Sequence, residues 1–240
     1  MSSPPSAALS AADSYQHGLF GPVEVRPLSN IRGIVAKRVQ ASWGNVPHVS
    51  HTDDVDATAL EAALAALQDR TAVKLTLLPF VVRACALALM EFPEVNASLC
   101  DSGRNLILKK YCHIGFTTNT PAGLLAPVIR DVDKMTVLDI AAAIGGLTVK
   151  ARAGRLTVKD MKGACFTISD LGEMGDAPEV ATLGIARVAR KPVAIGGVLV
   201  SRPVLPLRLV YDTRAIDGAL GGEFMAAIRR RLANPDFLLS

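Results

Sequence analysis

Hydrophobic positions return at helical spacing in the first third of the chain, change to strand spacing after Ala97, and alternate between the two from Thr136 onward. Ile31, Ile34, Val35, Val39 and Trp43 lie on one face of a 3.6-residue repeat, with Arg32, Lys37 and Arg38 between them. This predicts a helix from Ile31 to Trp43. Pro47 ends it, because a proline disfavours the helical region for the residue before it. His48 to Ala57 alternates in part and predicts a strand. Thr58 is placed to cap a helix from Ala59 to Gln68, with Glu61 as its capping-box partner. Leu75 to Glu91 predicts a second helix, capped by Thr76, with Pro79 tolerated in its first turn. That helix is apolar almost all round, which requires burial.

From Ala97 the punctuation is that of strands. Ala97–Cys100 and Asn105–Lys109, joined across Asp101-Ser102-Gly103-Arg104, predict a hairpin. Tyr111–Thr118 and Leu124–Ile129 predict two strands, broken at Pro121-Ala122-Gly123. Thr136 to Gly154 predicts a helix, ended by Gly154. Cys165–Ile168, Ala181–Val188, Ala194–Val200 and Val204–Val210 predict the last strands, and Ala219–Leu232 the closing helix. Such a series gives an α+β fold with a large mixed sheet flanked by helices.

Composition narrows the class. With 240 residues, half of them apolar, the chain can bury one large core. A net charge of +4, with no basic run interleaved with aromatics, gives no nucleic-acid surface. Cys85, Cys100, Cys112 and Cys165 have no metal-ligand spacing and read as buried free thiols of a cytoplasmic protein; no metal is expected. No run is long enough to span a membrane, and no secretory leader is visible at the N-terminus. Residues 1–22 read as a disordered arm and 23–240 as the domain.

Polar chemistry concentrates in Tyr211-Asp212-Thr213-Arg214-Ala215-Ile216-Asp217-Gly218, a turn between the strand-like run Val204–Val210 and the last helix. The stretch resembles the Asp-His-Arg-x-x-Asp-Gly motif of the acyltransferase (E2) catalytic core of 2-oxo acid dehydrogenase complexes. That family shares its fold with chloramphenicol acetyltransferase. Further resemblances lie at Pro27-Leu28-Ser29-Asn30-Ile31-Arg32, Pro47-His48-Val49-Ser50-His51, Glu91–Leu99, Gly123–Asp131 and Phe166–Gly172. The likeness runs from about Val23 to Leu239 and implies a chloramphenicol-acetyltransferase-like fold. It also implies acetyl-CoA as acyl donor and a homotrimer with sites between subunits.

The resemblance assigns an oxyanion donor to Ser169, a supporting carboxylate to Asp217, and the place of the catalytic histidine to Thr213. A threonine hydroxyl does not titrate near neutrality and cannot act as that base. His48 and His51 are the alternative bases, since an imidazole is the natural replacement. Plainer roles compete. Ser169 can satisfy a backbone group, Asp217 can pair with Arg32 or Arg38, and Thr213 can mark lost activity. His48 and His51 can be surface or interface residues, His113 a partnered sheet residue, and Lys109-Lys110 a solvated strand end. The segment after Gly172, where Glu173-Met174-Gly175-Asp176 leads to Ala177-Pro178-Glu179-Val180, is shorter than the family's.

With no lipoyl group on this chain, the expected function is a stand-alone acyltransferase. It would move an acetyl group from CoA to the hydroxyl of a small-molecule acceptor, as in tetronate acetylation within polyketide pathways. A non-catalytic core subunit of a 2-oxo acid dehydrogenase complex and an ordinary lipoamide acetyltransferase core are the alternatives.

Overall fold

A computed structural model describes residues 19–239, except 25, 29, 101, 122 and 170–178, and leaves the side chains of Asn30, Ile31 and Arg38 undescribed. The arm over residues 1–18 and the short segment after Gly172 therefore lie outside the described residues.

Helix α1 (Asn30–Asn45) leads into strand β1 (His48–Asp56). Helices α2 (Thr58–Gln68) and α3 (Leu78–Glu91) follow, then the hairpin β2 (Ala97–Leu99) and β3 (Leu106–Leu108). Each of the next two expected strands is split. β4 (Ile114–Phe116) pairs with β7 (Val128–Ile129) in the main sheet, while β5 (Thr118–Thr120) and β6 (Gly123–Leu125) form a separate hairpin. After α4 (Val137–Arg152) come β8 (Phe166–Ser169), β9 (Ala181–Ile185), β10 (Ala189–Ile195), the long β11 (Val198–Asp212), α5 (Gly218–Ala233) and the short α6 (Asp236–Leu239).

The main sheet runs β1-β11-β9-β8-β4-β7, with β10 added to β11. It is mixed: β8 is parallel to both β4 and β9, and the other pairs are antiparallel. Ile168, Leu183 and Leu209 lie side by side on one face and join a core with Phe80, Phe166 and Phe224. Phe166 and Phe224 meet edge-on with centroids 5.7 Å apart, an arrangement the ring quadrupoles favour. Helix α3 buries nine of its residues, as its all-round apolarity requires.

Several expectations are corrected. Thr58 does not cap α2; it is the first helical residue, and its N–H and hydroxyl both donate to Asp56 Oδ1. Thr76 does not cap α3, which begins at Leu78 with Leu77 ahead of it. Thr136 does cap α4, in a reciprocal box with Asp139. The single strand expected over Ala194–Val200 is a hairpin: Gly196 (φ 57°) and Gly197 (φ 82°) take the left-handed conformation a two-residue loop requires.

Lys109 is no solvated strand end. It is 8% exposed, and Nζ lies 3.4 Å from the carbonyl oxygen of Ala164. Burial pulls its ammonium pKa down, against the raising influence of Cys165 and Glu179. All four cysteines are free, but only Cys85, Cys112 and Cys165 are buried.

Candidate active site

The turn after β11 is built by backbone. Thr213 donates its N–H and its hydroxyl to the carbonyl oxygen of Pro47, each at 3.0 Å. The N–H groups of Ala215 and Ile216 both reach the carbonyl of Asp212 at 3.0 Å. The turn then passes into α5 through Asp217, whose extended backbone and Oδ1 acceptor, 2.8 Å from the N–H of Leu220, make it the N-cap. Of the two roles weighed for Asp217, a structural one is thus visible, as a helix cap; the side chain of Arg38 lies outside the described residues.

Asp212 is the buried charge of this turn, 4% exposed. Arg214 grips it with Nε 2.9 Å from Oδ1 and Nη2 2.6 Å from Oδ2, while the Arg214 N–H adds a third donor group at 2.9 Å. A buried carboxylate is tolerable when its lone pairs are filled in this way. The pairing raises the Arg214 pKa further. Sequence reasoning passed over this pair, although an acid and a base two residues apart at a strand end were its signal.

His48 and His51 both lie on β1, opposite Asp212 and Leu209 respectively. Directly opposed residues share a face, and successive residues along a strand point to opposite faces. His48 therefore shares the face of Asp212, whereas His51 shares the core face of Leu209. His48 Nε2 is buried with no hydrogen-bond partner among the described residues, and the Trp43 ring lies 5.4 Å away. Desolvation lowers its pKa, opposed by Asp212 and a backbone hydrogen bond to Val46, and assisted by Arg214. His51 packs against Tyr211 at 5.7 Å and near Gly222. His113 has its expected partner, since its Nδ1 accepts the N–H of Asp131 at 3.0 Å.

Ser169 is buried at the end of β8. It is in register with Gly184 of β9, which faces Arg208 of β11. Thr213 is five residues beyond Arg208 along the chain. At a strand rise of about 3.3 Å per residue the two hydroxyls are separated by roughly 16 Å along the sheet alone. The chain thus brings Thr213, Asp217 and His48 together at one end of β11 and holds Ser169 away from them. A shallow trough of about 580 Å³ lies at the level of Ser169, lined by Thr52, Asp54, Gly184, Lys191, Pro206 and Arg208 among others. Lys191 is paired there with Asp54 at 2.7 Å.

A mixed sheet under helices, ending in this acid–threonine–arginine turn, defines an acyltransferase core. The chain belongs to the family of 2-oxoacid dehydrogenases acyltransferases (catalytic domain), whose model matches residues 20–240. It is 44% identical over 231 residues to the dihydrolipoyllysine-residue acetyltransferase component of the Pseudomonas aeruginosa pyruvate dehydrogenase complex. That match covers 92% of this chain and 42% of the relative. The Azotobacter vinelandii counterpart is also 44% identical, over 90% of this chain and 35% of its own length. The chain thus spans less than half the length of these curated relatives.

The solved structure of the Azotobacter vinelandii dihydrolipoamide acetyltransferase superposes with a TM-score of 0.87 at 42% identity, covering 94% of this chain and 98% of that one. It was studied for the roles of a serine, a histidine and an asparagine in catalysis. Chloramphenicol acetyltransferase shares the fold alone, at a TM-score of 0.50 and 14% identity over 89% of this chain and all of that one. The expected fold class and family resemblance both hold.

Proposed function

We propose that the protein is an acetyltransferase core that moves an acetyl group between CoA and a thiol of the dihydrolipoyl type. The observation carrying this is 44% identity, along nine-tenths of the chain, to proteins named for that transfer. The chemistry of Thr213 supports the same acceptor over the hydroxyl expected at first. A thiol has a pKa near 8.5 and is partly ionised at neutral pH, whereas an alcohol is not. A site without the motif histidine therefore fits a thiol better than an alcohol.

In this reading Ser169 donates to the developing oxyanion, worth about 10²–10³-fold in rate. Thr213 borders the acceptor's path; its donor hydrogen is committed to Pro47, so toward a ligand it can only accept. Asp217 holds the turn by capping α5. Since one chain keeps Ser169 and Thr213 apart, the site is completed between copies, Ser169 of one facing the turn of the next, in a homotrimer. Exposed apolar side chains on α1, Ile34, Val35 and Trp43, favour such packing.

The test is acceptor choice. With acetyl-CoA as donor, dihydrolipoamide should be acetylated with saturation, and primary alcohols far more slowly. Preferred transfer to an alcohol would restore the small-molecule reading. No transfer to either, with tight binding to dehydrogenase components, would mark a structural subunit.

A further inference from the structure

We propose that His48 is the general base of this protein, taking the proton that the threonine of the motif cannot take. This rests on the acetyl-transfer reading above. Two observations carry it. The imidazole belongs to the site by backbone register: His48 faces Asp212 across β1 and β11, and Pro47, its chain neighbour, holds Thr213 through two hydrogen bonds. Its Nε2 is buried with no partner among the described residues, which in a native structure requires an explanation.

The competing imidazole is placed otherwise. His51 also has a buried ring nitrogen without a described partner, but it shares the core face with Leu209 and packs on Tyr211. It therefore lies on the opposite face of the sheet from Asp212. His48 lies instead on the face of Asp212, beside the motif turn, with the Trp43 ring 5.4 Å away.

The charged groups acting on His48 are the carboxylate of Asp212 and the guanidinium of Arg214, already joined to each other. Burial outweighs Asp212 and lowers the imidazole pKa, so the ring is neutral and able to accept at pH 7. In the step, Nε2 removes the acceptor's S–H proton as the sulfur attacks the thioester carbonyl. The C–S bond to CoA then breaks, its electron pair leaves on the CoA sulfur, and that sulfur takes the proton back from Nε2.

The test joins kinetics to an optical signal. Trp43 is the only tryptophan and touches the imidazole, so its fluorescence reports the charge on His48. Wild type should show an acid limb in kcat/KM below the usual imidazole value of about 6.5, matched by a fluorescence titration. His48→Gln, with trimer and melting point checked, should lose about 10²–10⁴-fold in kcat/KM along with both pH signals. Added imidazole should partly rescue His48→Ala, and Thr213→His should restore activity to His48→Gln, which a merely structural role for His48 would not permit. If wild type is active and His48→Gln keeps its rate and acid limb, the inference is overturned and the acetyl-transfer reading stands. A wild type silent toward every acceptor overturns both.

Discussion

Thr213 gives both its N–H and its hydroxyl to the one carbonyl oxygen of Pro47, each at 3.0 Å. The side chain that stands in the motif histidine's place is thus tied down as part of a turn. The hydroxyl bond is solvent-exposed, so its net worth is small. Thr213→Val should lower stability by no more than about 0.5–1.5 kcal/mol. It should also leave kcat/KM within about tenfold, since no base is removed; a loss in the 10²–10⁴-fold range typical of general bases would show that the hydroxyl has a chemical role. Thermal melts and steady-state kinetics read the two effects separately.

Asp217 separates cap from catalyst by the same logic. Asp217→Ala should cost about 0.5–2 kcal/mol by removing the acceptor of the Leu220 N–H, while Asp217→Asn keeps a capping oxygen and most of the stability. Activity should follow stability in both. An Asp217→Asn protein that melts like wild type yet is inactive would assign the carboxylate a charge-dependent role.

Cysteine reactivity follows from burial. Cys100 is half-buried beside the β2–β3 hairpin, and contacts from the Ser102 hydroxyl, then the Asn105 N–H, bring its thiol down to about 7. Burial pushes Cys112 up to about 12 and Cys85 higher still. Since the thiolate is the nucleophile, one equivalent of iodoacetamide at pH 7.5 should label Cys100 first, as read by peptide mass spectrometry. Faster labelling of Cys85 in the folded protein would contradict the packing of α3.

Acid sensitivity should come in part from the helix caps. The Thr136 hydroxyl holds the Asp139 carboxyl below its ordinary value of 3.8, and the Thr157 N–H and hydroxyl do the same for Asp160. A carboxylate with a depressed folded pKa adds stability above its unfolded pKa and loses it as pH falls through the folded one. The Asp139→Asn and Asp160→Asn proteins should therefore lose less stability than wild type between about pH 4 and the acid transition, with a smaller gap to wild type at the acid end. Urea melts at stepped pH would show it; parallel wild-type and variant curves would not fit.

Much of this was legible beforehand because the period-3.6 and period-2 patterns are local. Helices α1 to α5, the β2–β3 hairpin and the Gly154 stop are all short-range consequences of side-chain spacing. The Gly196-Gly197 hairpin was missed because apolar residues continue on both sides, although the glycine pair is itself the hairpin signal. Lys109 was misjudged because charge argues for solvent, and only the three-dimensional neighbourhood of Ala164 and Cys165 reveals its burial. The division of the site was implied only through the family resemblance, which expects sites between subunits. Ser169 and Thr213 lie in separate motifs, and strand order and register place them at different levels of the sheet.

That division is the centre of the account, and complementation tests it most directly. Ser169→Ala removes the oxyanion donor, and Thr213→Arg fills the exposed turn; each homotrimer should be nearly inactive. When the two are unfolded, mixed equally and refolded, random trimers should regain roughly a quarter of wild-type acetyl transfer, because one pairing in four joins an intact Ser169 to an intact turn from its neighbour. A mixture no more active than its parents, from trimers shown to contain both chains, would mean that the site is not shared between copies.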